Sequence, residues 1–577
     1  MYDPVVHRAI VTFVAVLVAS CDAEPGAPPM PDAGAADAGA ADSGSSASTV
    51  APPALTPCPT GWREVINGDV TTCDPWPEPG RASCTASDEA HFPGESGCTR
   101  VGAACPVGNF ADDLPATGTV LYVLAGAPAG GDGTRARPFA RIADAMALAT
   151  PATVVALGRG AYDEPVTLRA SVTLWGACVA RTTVRSTAMA DSAGVIEAEG
   201  DDGAVRNLRI GVSLRSGVRV VGHRITLEDV VVERTMHAGV VALVGSQIDA
   251  RSLVVRDTLP SAVGELAMGL DVEAGASVNV TRGAFERNLG IGVLADGSRA
   301  ALHLEDVAID DTQSRAGGDL GRGLYVRNGA HAEALRIAVE RSREVGVYAA
   351  NSGTTASLVD AVVRDTRTRA SDGAAGHGLD VLFGAEASVR RATLERNHAV
   401  GVLMHGADTH ARFEDVVIRD TLGRELDGLG GMAFQVDVGA MAELVRGRIE
   451  RGVTVGFSVF GAMASLEDVE VVDTSALGCA ATTCVGRAFG VGIGAYGGSA
   501  IVAHRFRVLR ATLCGIQLAG ESQMDLHQGN VSGCEIGACV QVDGYDLARL
   551  SDGVSYTDNA RGLETTMLPV PTPEASL

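Results

Sequence analysis

The chain has 577 residues and a formal charge of −24, an acidic balance that excludes nucleic acid as a partner, because phosphate binding needs a basic face that releases counterions. Aromatics make up 4% of residues and glycines number 71, so a core must come from Val, Leu, Ile and Ala in thin layers. Every basic side chain other than histidine is arginine, which removes lysine as a catalytic base.

At the N-terminus an apolar run from Ala9 to Val18 follows Arg8 and ends in Val18-Ala19-Ser20-Cys21. It is too short for an ordinary membrane-spanning helix. Small residues before a cysteine resemble the lipobox of a bacterial lipoprotein signal. That resemblance implies a signal peptide over 1–21, lipidation at Cys21, and an exported chain held by lipid in the cell envelope, at the outer membrane's periplasmic face or the cell surface. Residues 22–57 are Ala, Gly, Pro, Asp and Ser with almost no large apolar side chain, and read as a disordered tether.

Eleven further cysteines, Cys58, Cys73, Cys84, Cys98, Cys105, Cys178, Cys479, Cys484, Cys514, Cys534 and Cys539, are disulfide candidates in an exported chain. The first six can form three bridges that tie a loop-rich module over 58–114, through Cys178, to the first coil of the repeat region. The last five are odd in number, so one is free or paired elsewhere. No paired CxxC knuckles occur, and no metal site is read from them.

Next come Leu121-Tyr122-Val123, a Gly131-Asp132-Gly133 turn, Pro138-Phe139, and an amphipathic segment from Ile142 to Ala149. Short strands come after it at Val154–Leu157 and Val172–Trp175. This order resembles the N-terminal cap of pectin-lyase-like right-handed parallel β-helices, where a helix covers the open end of the stack. The resemblance implies an all-β solenoid over 115–560 with a capping helix, and a tail over 561–577. Gly131-Asp132-Gly133 reads as a plain turn.

The repeat is the dominant signal. Polar residues closing successive strands fall at Thr235, Thr258, Asn288, Thr312, Ser342, Thr366, Asn397, Thr421 and Thr474, with Gly452 in the same series, so steps of 22–24 alternate with steps of 30–31. The position before each alternates in sign: Arg234, Asp257, Arg287, Asp311, Arg341, Asp365, Arg396, Asp420, Arg451, Asp473. One position earlier, Glu233, Arg256, Glu286, Glu340, Arg364, Glu395, Arg419 and Glu450 alternate too, apart from Asp310 and Val472. Coils stack about 4.8 Å apart. Opposite charges at that spacing support the stack and oppose a slip of one coil.

Asp310 breaks the column and forms an adjacent carboxylate pair with Asp311. Such a pair can do acid–base work or bind calcium. In β-helical polygalacturonases a similar Asp-Asp is followed by Gly-His-Gly, and Gly376-His377-Gly378 is the match here. His377 lies more than two coils further on, and Arg448-Ile449-Glu450 carries a carboxylate where that family has lysine, so the catalytic carry-over to Asp310, Asp311 and His377 is weak. The long coils place their extra residues after the Asp-Thr step: Leu259–Met268, Gln313–Arg322, Arg367–His377, Leu422–Gly431 and Ser475–Phe489. These inserts must share one edge of the solenoid, the usual place for a binding face. The sequence thus points to a nonenzymatic envelope protein whose loop-lined face takes a carbohydrate or a protein. A polysaccharide lyase or hydrolase is the alternative. No cofactor is expected beyond a calcium ion at the carboxylate pair, and oligomeric state is not encoded.

Overall fold

The computed structural model describes residues 49–188, 193–260, 267–476, 489–565 and 567–575. The signal peptide, Cys21, Cys479 and Cys484 lie outside the described residues. From Gly203 onward each coil gives one long strand to a nineteen-stranded sheet, here sheet A, and one short strand to a sixteen-stranded sheet, sheet B. Arg224–Glu233 joins sheet A and Ala238–Leu243 joins sheet B, and coil-to-coil pairing is parallel throughout. The architecture is a right-handed parallel β-helix. Glu233, Arg256, Glu286, Asp310, Glu340, Arg364, Glu395, Arg419, Glu450 and Val472 pair in register, as the aligned strand ends require.

Each long strand bends near its middle at one left-handed residue, with φ between 49° and 59° from Asp229 through Asp306, Arg336, Asp360, Arg391, Asp415, Arg446 and Asp468 to Arg505. A second left-handed residue ends the strand, at Arg234, Asp257, Arg287 and onward to Arg510. Asp tolerates this conformation better than most residues and Arg does not. Stacking identical turns offsets that cost, because most of these arginines reach the Asp one long coil below, Arg341 being an exception that turns to Asp310. At the strand ends Arg287 grips Asp257 (2.7 and 3.1 Å), Arg396 grips Asp365 and Arg451 grips Asp420. At the bends Arg336 grips Asp306 and Arg446 grips Asp415. Such half-exposed pairs contribute about 0.2–1 kcal/mol each. In the upper coils the Arg/Asp alternation therefore resolves into discrete two-toothed pairs across long coils, one at the bend and one at the strand end.

Inside the bend, the closing polar residues are buried. Asn397 accepts from the Thr366 amide (3.1 Å) and donates to the Val363 carbonyl (3.0 Å) of the coil below, and Asn288 does the same for Thr258 and Val255. Replacing Asn397 with Ala orphans a buried amide and a buried carbonyl, so urea denaturation should show a loss of about 1–3 kcal/mol. A loss below about 0.5 kcal/mol, within the spread of ordinary surface substitutions, would contradict this role.

The N-terminal end is closed as expected. Helix Ile142–Leu148 buries Ile142, Ala145 and Met146. Glu164 accepts from its first amides, and Arg169 donates to carbonyls at its end. Asp132 accepts from Thr134, a plain turn.

The cysteine-rich segment, expected as a loop-rich module over 58–114, is packed along the solenoid. It is a strap that runs down the outer face of sheet A and starts earlier, inside the expected tether. Ala51 and Ala54 donate to Asp468 and Asp415, Trp62 packs with Val362 and Val417, and the Trp76 indole donates to Glu340 at 2.9 Å. Further down, Arg256 reaches the Ser87 carbonyl, Arg282 pairs with Glu95, and Cys105 is bonded to Cys178. The reason is a second apolar face: Val231, Val254, Ala284, Ala308, Ala338, Val362 and Val417 point outward and need a cover. Cys58–Cys73 and Cys84–Cys98 staple the strap, Cys514–Cys539 staples sheet B, and Cys534 is free and buried. At the other end Arg561–Glu564 pairs with Ile536–Gln541, so the solenoid extends into the segment expected to be tail.

Candidate functional site

The site grows from the outward face of sheet B. Its strands lack the alternation of a half-exposed sheet, as in Gly378-Leu379-Asp380-Val381-Leu382, because both faces are covered. The inserts supply one wall. Two of them share an Arg-x-x-Asp-Gly turn, in which Arg369 grips Asp372 and Arg424 grips Asp427, each donating through Nε and Nη2 to both carboxylate oxygens. Neighbouring inserts touch: the Ser371 amide donates to Gly318, and the Thr368 hydroxyl to Glu425. The three described inserts, Gln313–Arg322, Arg367–His377 and Leu422–Gly431, share one edge in every second coil, as the spacing predicts, while most of the first and last inserts lies outside the described residues.

The floor is a row of buried polar side chains. His377 donates through Nδ1 to Asp380 at 2.9 Å; both are fully buried, and His377 Nε2 has no partner among the described residues. Burial opposes the imidazolium, but Asp380, with Glu574 and Glu344 further off, outweighs it and holds His377 above its ordinary value. Glu344 accepts from Arg322 (2.8 Å) and Arg369 (2.9 Å), and Arg322 lies over the rings of Tyr325 and Tyr348. Gln435 donates to Asp437, which also takes His405 at 2.6 Å.

The C-terminal tail lies in the groove above this floor. Gln541 donates to the Leu568 carbonyl (2.8 Å) and Gln517 to the Pro569 carbonyl (3.2 Å). Gln435 takes both main-chain groups of Glu574, accepting from its amide and donating to its carbonyl at 2.9 Å each. Arg424 pairs with the Glu574 carboxylate at 2.9 Å. A cavity of about 510 Å³ remains beside the tail, lined by Met432, Thr454, Phe489, Pro569 and Thr572 among others.

Asp310 and His377 are not brought together. Asp310 belongs to sheet A, where the strap residue Arg81 pairs with it and with Glu286 (2.5 Å), and Arg341 pairs with it from the coil above. Asp311 sits at the left-handed strand end, its carboxyl pushed up by burial and by Asp310. His377 belongs to sheet B with Asp380. Among the described residues no group of three or more His, Cys, Asp or Glu converges as a metal site. The residues that sequence reasoning missed are Gln435, Gln517 and Gln541. Gln435 and Gln517 share one register position three coils apart, and Gln541 lies two residues further along its strand, so no sequence period links them and glutamine on a strand carries no motif.

No family model matches the chain, and no curated protein matches it. Solved structures similar to it include the pectate lyase Pel9A, at 10% identity over 76% of this chain and 80% of that one, with a TM-score of 0.26. The A-module of the Azotobacter vinelandii mannuronan C-5 epimerase AlgE4 shares 14% identity over 77% and 98%, with a TM-score of 0.24. The periplasmic alginate epimerase AlgG shares 9% over 64% and 77%, with a TM-score of 0.27. Overlap this low carries no argument about chemistry, and the β-helix stands on its own strand pairing.

Proposed function

We propose that this chain is an exported, lipid-tethered, nonenzymatic β-helix that binds an extended polypeptide in the groove of sheet B. The observation that carries the reading is a set of groove glutamines: Gln435, Gln517 and Gln541 already hold an extended segment by its main chain, the sequence-tolerant mode of peptide grooves. Prolines at 569, 571 and 573 pre-extend that segment and lower the cost of ordering it. A polypeptide is favoured over a sugar because Phe489 is the only Phe, Tyr or Trp in the five inserts, which leaves few platforms for stacking on pyranose rings. Four disulfides among the described residues fit an oxidising compartment.

A chain lacking residues 567–577 should bind a synthetic Leu-Pro-Val-Pro-Thr-Pro-Glu peptide in a fluorescence-anisotropy titration. The full-length chain should bind it at least tenfold more weakly, since its own tail competes, and Gln435→Ala in the truncated chain should lose the binding. Binding of galacturonate or alginate oligosaccharides instead of the peptide, or their turnover, would overturn the reading. Palmitate labelling that disappears in Cys21→Ala tests the tether, and labelling that persists refutes it.

A further inference from the structure

A second place on the same face has no structural explanation. Asp271 lies on strand Met268–Val272, 3% exposed, and its Oδ1 has no hydrogen-bond partner among the described residues. The register sets it between Val241 of the coil below and Leu294 of the coil above. An ionised carboxylate between two aliphatic side chains costs several kcal/mol unless something pairs with it, and the other buried acids of this face are paired. Glu344 has two arginines, Asp380 has His377 and Asp437 has His405.

Asp271 lines a pocket of about 310 Å³ with Ser216, Arg219, His237, Val241, Leu243 and Glu273. The nearby cations are already committed. Arg219 is held by Glu197 at 2.5 Å, and Arg327 by Asp296 at 2.6 Å. Among the described residues, Asp271 and the exposed Glu273 form an acidic pair with no salt-bridge partner beside an apolar wall. We infer that this pocket binds a cationic group, a primary ammonium or guanidinium on an aliphatic stem, with the charge on Asp271 and Glu273 and the stem against Val241 and Leu243. The source is a lysine or arginine side chain of a polypeptide, or a free polyamine. This chain has no lysine, so a lysine would come from a different protein. The inference does not depend on the tail groove.

Burial first, then Glu273 and Asp296, push the empty Asp271 carboxyl up to about 7, with Arg327 opposing them. A cation favours the ionised form. Affinity must therefore fall as pH drops below about 7, by up to tenfold per unit, and level off above it.

Isothermal titration calorimetry of the full chain with agmatine and cadaverine, from pH 6 to 8.5, tests this. The expected result is saturable one-to-one binding with that pH profile and with proton release below pH 7. Asp271→Asn should weaken binding at least tenfold and flatten the profile, while Gln435→Ala leaves both unchanged. Glu273→Gln, at an exposed site, should weaken binding and move the profile's midpoint down. Tighter binding of an N-acetyl-lysine amide peptide than of cadaverine assigns the polypeptide source, and the reverse assigns the free amine. Absence of saturable binding, equal affinity in Asp271→Asn, or competition by galacturonate would overturn the inference.

Discussion

Replacing Arg81 with Ala should destabilise the protein by about 3–5 kcal/mol, the usual cost of stripping one partner from a buried ionic group. Glu286, Asp310 and Glu340 stand in register in three successive coils, each under 10% exposed. Elsewhere in that column an arginine of the solenoid separates the acids, as Arg256 and Arg364 do; here the separating cation comes from the strap, and Arg81 is itself buried, with 5% of its side chain exposed. Loss of Arg81 leaves Glu286 and Asp310 facing each other in adjacent coils with only Arg287 and Arg341 beside them, and it lifts the strap between Trp76 and His91. Urea denaturation should report the energy, and limited proteolysis should show new cleavage in that stretch. Asp310→Arg in the Arg81→Ala chain restores the column's own alternation and should recover most of the loss. A single variant costing under about 1 kcal/mol, in the range of an exposed pair, or a double variant no better than the single, would show that Arg81 does not serve as the missing rung.

That substitution marks where sequence reasoning ran out. The coil register was legible because ten strand-end triplets vote for one alignment, the inserts because they recur at the same step, and the capping helix because its signal is local. Asp310 was legible only as an exception. Its explanation lies 229 residues away in Arg81, on a segment without periodicity. A signal for the strap was nevertheless present. Runs such as Val230-Val231-Val232 and Val307-Ala308-Ile309 are apolar on both faces, and a strand buried on both faces must be covered from outside. The same argument applies to sheet B, where Val400-Gly401-Val402-Leu403 required the inserts and the tail. The bend arginines and aspartates were equally regular but sit inside strands, where an alternating charge reads as a solvent-facing residue rather than a left-handed turn. The groove's glutamines carry neither charge nor periodic turn chemistry, and only the fold brings them beneath the tail.

Removing the Asp380 carboxylate should also cost about 3–5 kcal/mol, with a dependence on pH that identifies the cause. His377 and Asp380 are both fully buried, and the pair forms the groove floor beneath Glu574. A histidine whose value is raised on folding contributes stability that is fully present below its unfolded value of about 6.5. That contribution is lost as pH rises through the raised folded value. In Asp380→Ala only burial and more distant acids act on His377, so the imidazole stays neutral in the folded state and must be charged to unfold it at low pH. The stability difference between parent and variant should therefore be largest below pH 6 and shrink toward pH 9, followed by chemical denaturation across that range. A difference independent of pH would mean that the carboxylate serves packing alone. Because Gln435 and Arg424 fix Glu574 directly over this floor, the variant should also speed amide exchange in residues 568–574 at pH 6. A tail equally protected in both chains would separate the ion pair from the groove and leave the glutamines and Arg424 as its anchors.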